Sequence, residues 1–418
     1  MKRFFLYVPA VFAALCIAAV SCGEDESIPI PVTEPEEELP GARITDTIRY
    51  EKQKATVYNI EYPSADPYGY PVMLSGAIVV GDEVMEGRDA RGMVLYNHYT
   101  VYGKDQCPSC GYLDMPMMFA GSGLITVAPD YYGFGATEDR NQAYCMSWCN
   151  GKGSADALIA ARWLLGEAGF RWDGFLFNVG YSQGAQTSMG VLRYCSLEHP
   201  EIEFTHTIAG DGPYDMAQTY RCLVEEGSTD MPSTVVSSLM AYNEYCQLGY
   251  DISDMFTEPG LSRIKSYLQL PQDRRGDFDS CLGDVSLEEC VSPELMDLES
   301  DMSARFMEAF ERDNLAKGWT PDARSRITLV HNKLDDVVPV GNTTSLQEFL
   351  EKQGLVISTS SSDRYNPGTV YVLSHNWSGS NGMGRHTAAA LYFATEVVIS
   401  ICSYLDMDLW FSLSDLGL

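Results

Sequence analysis

The chain is poor in positive charge and in histidine. Its 418 residues carry 28 Lys and Arg against 58 Asp and Glu, a net charge of −30, and only six His. No basic cluster stands outside the extreme N-terminus. That argues against a nucleic-acid partner, because phosphate neutralisation needs clustered Lys and Arg. The acidity reads first as a soluble, self-repelling surface, and steering of a cationic substrate is the sharper alternative. Internal repeats are absent, and so are low-complexity tracts beyond one acidic segment. The apolar share of 45% is that of a globular protein. A chain of this length holds a large core, as one α/β domain with insertions or as two domains.

The N-terminus is unlike the rest. MKRFFLYVPAVFAALCIAAVSC has Lys2 and Arg3, then an apolar run from Phe4 to Val20, then Ser21 and Cys22. This is the pattern of a secretion signal, with a membrane anchor helix as the alternative. Ala19-Val20-Ser21-Cys22 resembles the lipobox of bacterial lipoproteins. The resemblance implies cleavage before Cys22 and acylation of its thiol, hence a lipid anchor in the cell envelope, at an outer membrane or cell surface. The following GEDES looks like the acidic export tags of Bacteroidota-type surface lipoproteins. Residues 23–42 are acidic and Pro-containing and read as a flexible tether.

Ten further cysteines stand at 107, 110, 145, 149, 195, 222, 246, 281, 290 and 402. An even number in an exported chain points to disulfides. The C-x2-C at 107–110 and C-x3-C at 145–149 also have zinc-like spacing, but no His lies near either pair. A Cys107–Cys110 redox pair is a further reading.

Strand and helix patterns alternate along the chain. Residues 43–62 and 72–80 alternate apolar and polar positions and read as an antiparallel start. GMVLYNHYTVYG (92–103), GLITVAPDYYGFGAT (123–137) and GFLFNVGYSQG (174–184) begin as buried strands. SADALIAARWLLGEAG (154–169) and AQTSMGVLRYCSLEH (185–199) have helical spacing. EFTHTIAGDGPYD and SRITLVHNKLDDVVPV add strands, SLQEFLEKQG a helix, TVYVLSH a strand and RHTAAALYFATEVVIS a last helix. The expected fold class is α/β, a mostly parallel central sheet flanked by helices. Residues 216–324 break the alternation and read as a helical cap or lid over the C-terminal edge of the sheet. The core is then 43–215 with 325–418.

At the end of the 174–184 strand stands Gly180-Tyr181-Ser182-Gln183-Gly184, a G-x-S-x-G. Its place between a strand and a helix is the context of a nucleophile elbow. The turn is tight, so Gly is needed where a Cβ would meet neighbouring chain. The N–H of Gln183, at a helix N-terminus, suits an oxyanion. A Ser hydroxyl needs a base. In the chain order Ser, acid, His, the acid falls at Asp335 or Asp336, and only His375 and His386 come later.

GYSQGAQ, LVHNKLDDVVPV, APDYYGFG and AGDGPYD together resemble the α/β-hydrolase superfamily. They look most like its secretory-lipase-like branch of extracellular enzymes. The resemblance covers residues 43–215 and 325–400, and leaves out the cap and the tether. It implies an α/β-hydrolase fold with an inserted helical cap. The acid in D-x-x-V-P is then Asp335, followed by Val338-Pro339, with Asp336 a solvated neighbour. The His that opens the last helix, before small residues and an aromatic, is His386, and His375 is the alternative. Relatives carry H-G-T or H-G-x after the first central strand, where this chain has His98-Tyr99-Thr100. The Gly is missing. The second oxyanion donor is therefore expected from the N–H of Thr100 or Tyr99, or from a Tyr hydroxyl, and His98 reads as a bridge between loops. Asp130-Tyr131-Tyr132-Gly133 resembles a loop that shapes the site. Tyr242 and Tyr245 are candidates for lining a pocket, with plain core packing as the alternative.

The implied activity is serine-dependent hydrolysis of carboxylic esters through an acyl-enzyme, on a small-molecule ester or lipid, with no metal or organic cofactor. Two rivals stand beside it. One is a prolyl-type peptidase or amidase on the same triad, without the expected propeller or acidic amine-binding pair. The other is a non-catalytic surface binding lipoprotein on a hydrolase fold.

Overall fold

In a computed structural model, residues 41–271, 275–276, 278–378 and 384–407 are described. The expected signal segment, Cys22 and nearly all of the tether lie outside them. Ten strands form one sheet in the order β1-β2-β3-β5-β4-β6-β7-β8-β10-β9. The strands β1 (Arg43–Tyr50), β2 (Ala55–Ala65) and β3 (Pro71–Gly81) pair antiparallel, and β3 meets β5 antiparallel. From β5 (Ile125–Pro129) onward every pairing is parallel, through β4 (Met93–Asn97), β6 (Leu176–Tyr181), β7 (His206–Gly210), β8 (Arg326–Asn332), β10 (Thr369–His375) and β9 (Val356–Ser358). The central strands β4 to β7 are buried along their whole length, which explains their unbroken apolar runs.

Helices cover both faces. On one lie α1 (Asp114–Gly121) and the final helix, whose Ala389, Phe393 and Val397 pack with Val94, Phe177 and Ile208 of the sheet. On the other lie α2 (Ser147–Glu167) and α3 (Gln183–Glu198). There Ala185, Met189 and Leu192 of α3 meet Ile327 and Leu329 of β8 and Leu346 of the helix Gly341–Lys352. This is the mostly parallel α/β sheet that the sequence pattern implies, in the arrangement that the α/β-hydrolase resemblance implies. The final helix, Arg385–Tyr404, is long and apolar enough to cross a membrane, yet half of its most apolar window is buried inside the protein.

A helical insertion separates β7 from β8. Its main helices are α4 (Met216–Glu226), α5 (Pro232–Tyr245), α6 (Gly260–Leu268) and α7 (Asp301–Arg312), followed in the core by α8 (Gly341–Lys352) and α9 (Arg385–Tyr404). The insertion shares the largest apolar cluster with the core. Asp313, just past α7, is fully buried and clamps the start of α2. Its carboxylate accepts from Ser147 N–H at 2.5 Å, Trp148 N–H at 3.2 Å and the Ser147 hydroxyl, and pairs with Arg193 at 3.2 Å. Tyr242 donates to it at 3.0 Å.

The disulfide expectation is corrected. Cys107, Cys110, Cys145, Cys149, Cys195, Cys222, Cys246, Cys290 and Cys402 are free thiols. Cys145, Cys149, Cys195 and Cys290 sit inside the apolar cluster and pack as small apolar side chains. The Cys107 thiol donates to Lys104 C=O at 3.5 Å and lies 3.7 Å from the Ser109 hydroxyl.

Candidate active site

Strand β6 ends at Tyr181 and α3 begins at Gln183, so a single residue, Ser182, makes the turn. It does so at φ 56° and ψ −120°, a conformation that L-residues rarely adopt. The flanking glycines have a steric cause. A Cβ on Gly180 would lie 2.1 Å from the Gly184 carbonyl oxygen, and one on Gly184 would lie 2.1 Å from that of Asn97. The turn is also tied to the sheet, for Ser182 N–H donates to Gly210 C=O at 2.8 Å.

Two segments from far along the chain meet Ser182. After β8, Asp335 accepts the N–H groups of Val337 and Val338 through Oδ1, both at 2.9 Å. Its Oδ2 lies 2.6 Å from Nδ1 of His386, in the first turn of α9. Nε2 of His386 lies 2.8 Å from Ser182 Oγ. All three residues are buried. Burial alone raises the Asp335 carboxyl, but the neighbouring His386 charge and hydrogen bond outweigh it and hold the group below its usual range. The relay is therefore carboxylate, imidazole, hydroxyl, in the order that activates a Ser nucleophile.

The other candidate residues of the sequence lie as follows. His375 ends β10 and stacks on Tyr392 at 4.3 Å between ring centroids. Among the described residues neither of its ring nitrogens has a hydrogen-bond partner, and burial pushes its pKa down to about 4. It stands outside the relay. Asp336 stands outside it too. Burial, and then the neighbouring Asp230 carboxyl, push Asp336 up to about 6. His98 bridges loops as expected. Its Nδ1 lies 2.7 Å from Tyr99 C=O and its Nε2 3.1 Å from Asp130 C=O, and the ring stacks on Tyr131 at 4.0 Å. Asp130 is structural, accepting from Ser75 at 2.7 Å and from the hydroxyl and N–H of Ser109 at 2.6 and 2.8 Å.

Main-chain N–H groups crowd the start of α3. Ala185 and Gln186 N–H both donate to Ser182 C=O, at 2.9 and 3.2 Å. The N–H of Gln183, the first residue of α3, precedes any intrahelical acceptor. The close approach of Gly184 to Asn97 and His98 brings the loop with Tyr99 and Thr100 against this helix end. Tyr99 hydroxyl pairs with Tyr112 hydroxyl at 2.5 Å. Thr100 Oγ1 lies 2.9 Å from the hydroxyl of Tyr144, which lines the pocket over Ser182.

That pocket opens to solvent, and its cavity volume is about 40 Å3. Ser182 and Val338 stand on its core side, and Tyr220, Leu223, Leu239 and Phe310 of the insertion on the other. Tyr242 and Tyr245 do not line it. Their hydroxyls donate to Cys145 C=O at 2.8 Å and Asn141 C=O at 2.6 Å, and they pack in the core.

Two supporting residues escaped sequence reasoning. Tyr181, inside the G-x-S-x-G itself, donates its hydroxyl to His386 C=O at 2.5 Å. Asn332 closes β8 and bonds Trp377 N–H and C=O at 3.0 and 2.9 Å and Arg385 C=O at 3.3 Å, fixing the chain that carries His386. The motif and the strand end were the available signals. One group of potential metal donors occurs among the described residues, Asp211, His331 and Asp335. Hydrogen bonds already occupy His331 on both nitrogens, with Thr343 Oγ1 at 2.7 Å and Val338 C=O at 3.0 Å, and Asp335 on both oxygens.

No protein-family model and no curated sequence matches the chain. Solved structures do. A protein from Legionella pneumophila described as a hydrolase superposes with a TM-score of 0.71 at 17% identity, over 88% of this chain and 98% of that one. The rice cell wall degrading esterase LipA from Xanthomonas oryzae gives 0.67 at 18%, over 87% and 96%. Candida antarctica lipase A in its closed state gives 0.59 at 15%, over 88% and 82%. The chain thus has an α/β-hydrolase fold with a helical insertion, related in structure to LipA and to lipase A.

Proposed function

We propose that the protein is a serine hydrolase of carboxylic esters, with Ser182 as nucleophile, His386 as general base and acid, and Asp335 as the group that orients His386. The observation that carries this reading is the unbroken relay at 2.6 and 2.8 Å beneath a pocket lined mainly by apolar side chains. Ser182 Oγ attacks the ester carbonyl as its proton passes to His386 Nε2. Asp335 keeps Nδ1 protonated and stabilises the imidazolium. The N–H of Gln183, with a donor from the Thr100 loop, receives the oxyanion. His386 then gives the proton to the leaving alcohol, and an acyl-Ser182 ester remains. Water, deprotonated by His386, releases the acid and restores Ser182. The esterase and lipase neighbours support an ester substrate. The insertion serves as the cap that selects the acyl group.

The same proposal places the enzyme in the cell envelope. Residues 1–22 hold the signal with its lipobox, cleavage falls before Cys22, the Cys22 thiol carries the lipid, and residues 23–42 tether the domain to the membrane.

The test uses protein lacking residues 1–22, beside Ser182→Ala. Hydrolysis of a chromogenic ester series from acetyl to long-chain is followed, with a matched amide and a Pro-containing peptide amide. Ester turnover lost in Ser182→Ala is expected. Amide turnover above ester turnover would replace the reading with a peptidase or amidase. Absence of turnover together with absence of fluorophosphonate labelling would leave a binding protein.

A further inference from the structure

The residue after β7, Asp211, has no part in the relay described above, yet it is fully buried directly behind it. It adopts φ 46°, a left-handed conformation that a non-glycine residue rarely takes without a constraint. Its N–H donates to Val330 C=O of β8 at 2.9 Å, and its Oδ1 accepts Asn332 N–H at 2.8 Å. Its Oδ2 is buried and has no hydrogen-bond partner among the described residues. A polar donor atom each from Asp211, Asp335 and His331 lies within 4.8 Å of the other two.

Two buried carboxylates this close cannot both stay ionised unless a cation lies between them. His331 is not that cation. A carbonyl only accepts, so Nε2 of His331 donates to Val338 C=O, and Nδ1 then accepts from the Thr343 hydroxyl. Both nitrogens are satisfied by a neutral ring, and burial depresses its pKa. The other titratable groups facing Asp211 are Tyr181 from β6 and Tyr214 from the loop after β7, both neutral phenols whose pKa burial raises, with His386 beyond Asp335. One proton must therefore reside on the carboxyl pair. Asp335 has two backbone N–H groups and the imidazole to stabilise its charge, and Asp211 has a single backbone N–H.

We propose that Asp211 is a protonated carboxylic acid that donates a hydrogen bond to the Asp335 carboxylate and so positions the triad. Burial, and then the Asp335 charge, raise the Asp211 carboxyl well above the usual range, in line with that assignment. Asp211 touches neither substrate nor reacting atoms. It acts through Asp335, by filling a coordination position that water cannot reach and by spreading the charge that faces His386.

The role in turnover rests on the ester-hydrolase reading, and the protonation state does not. Wild type, Asp211→Ala and Asp211→Asn, with folds compared by circular dichroism, are assayed on the best chromogenic ester. Asp211→Ala lowers kcat by about 10- to 100-fold with KM little changed, the range for losing one hydrogen bond to a charged group. Asp211→Asn, which keeps a donor but cannot ionise, recovers most of that loss. Infrared difference spectra of wild type minus Asp211→Asn at neutral pH show the carbonyl stretch of a protonated carboxylic acid. A folded Asp211→Ala enzyme with wild-type kcat would overturn the positioning role. A carboxylate band in place of the acid band would overturn the proton assignment even if wild type hydrolyses no ester.

Discussion

Replacing Asp335 by Asn removes a charge and leaves the shape, so it isolates what the carboxylate does. Two orientations of the new amide are possible. One of them turns its NH2 toward the N–H groups of Val337 and Val338, which in wild type donate to Oδ1 at 2.9 Å, and sets donor against donor. The other keeps the carbonyl oxygen on those two groups and is the stable one. It aims the NH2 at His386 Nδ1, 2.6 Å away from Oδ2 in wild type. Nδ1 must then accept, the ring proton moves to Nε2, and Nε2 no longer takes the proton of Ser182 at 2.8 Å. The imidazolium also loses its counter-charge. For the same change in a triad of this kind the loss in kcat is about 10⁴-fold, or about 5.5 kcal/mol of transition-state stabilisation. The assay is kcat on the best chromogenic ester, with the rate of fluorophosphonate labelling of Ser182 as an independent measure of nucleophile activation. Asp336→Asn is the control and stays within about threefold of wild type, since Asp336 faces Asp230 and not the imidazole. An Asp335→Asn enzyme within tenfold of wild type, beside a crippled Asp336→Asn, would refute the assignment of the acid.

Asp336 supplies a stability prediction instead. Its folded pKa of about 6 lies above the usual aspartate value, so between about pH 4 and pH 6 the folded state holds a proton that the unfolded chain has released. Stability therefore falls as pH rises through that window, by about 1 kcal/mol once solvent screening of a half-buried group is allowed for. Thermal midpoints from pH 4 to 8 show the fall in wild type and a flatter profile in Asp336→Asn. Gly184→Ala puts a methyl 2.1 Å from the Asn97 carbonyl oxygen, and moves the α3 start away from the Thr100 loop. Loss of ester turnover is expected together with a destabilisation of about 3 kcal/mol, read by denaturant unfolding. In the pocket, Leu239→Ala opens the wall formed by the insertion. The preferred acyl chain lengthens, and each added methylene that is buried raises kcat/KM by about fourfold, from about 0.8 kcal/mol per CH2. An unchanged chain-length profile would place the acyl group elsewhere.

What the sequence made legible is what short-range physics writes into neighbouring residues. Continuous apolar runs gave the central strands, because β4 to β7 are buried on both faces. The elbow was legible from its spacing between a strand and a helix, where Gly180 answers to a clash with Gly184 inside the turn, although Gly184 answers to the distant Asn97 carbonyl. The decisive contacts are not of that kind. His386 meets Ser182 across 204 positions and Asp335 across 51, and Asp313 holds Ser147 across 166. His375 and His386 both follow β8, and only the path of the chain through Asn332, Trp377 and Arg385 decides which ring reaches the hydroxyl. Oxyanion donors are main-chain groups, which every residue carries, so spacing alone left Tyr99 and Thr100 undivided. The cysteines misled for the same reason. Their even number is a property of composition, whereas a disulfide needs two Cβ atoms about 4 Å apart and suitably aimed. Asp211 follows a strand pattern and carries no signal of its own in the sequence. Its significance comes from Asp335, just past β8, and from a histidine that spends both nitrogens elsewhere, and neither fact is local. A buried acid beside a triad acid is thus visible only once the strands are laid side by side, and the strand order that does so also places Ser182, Asp211 and Asp335 at the same edge of three adjacent strands.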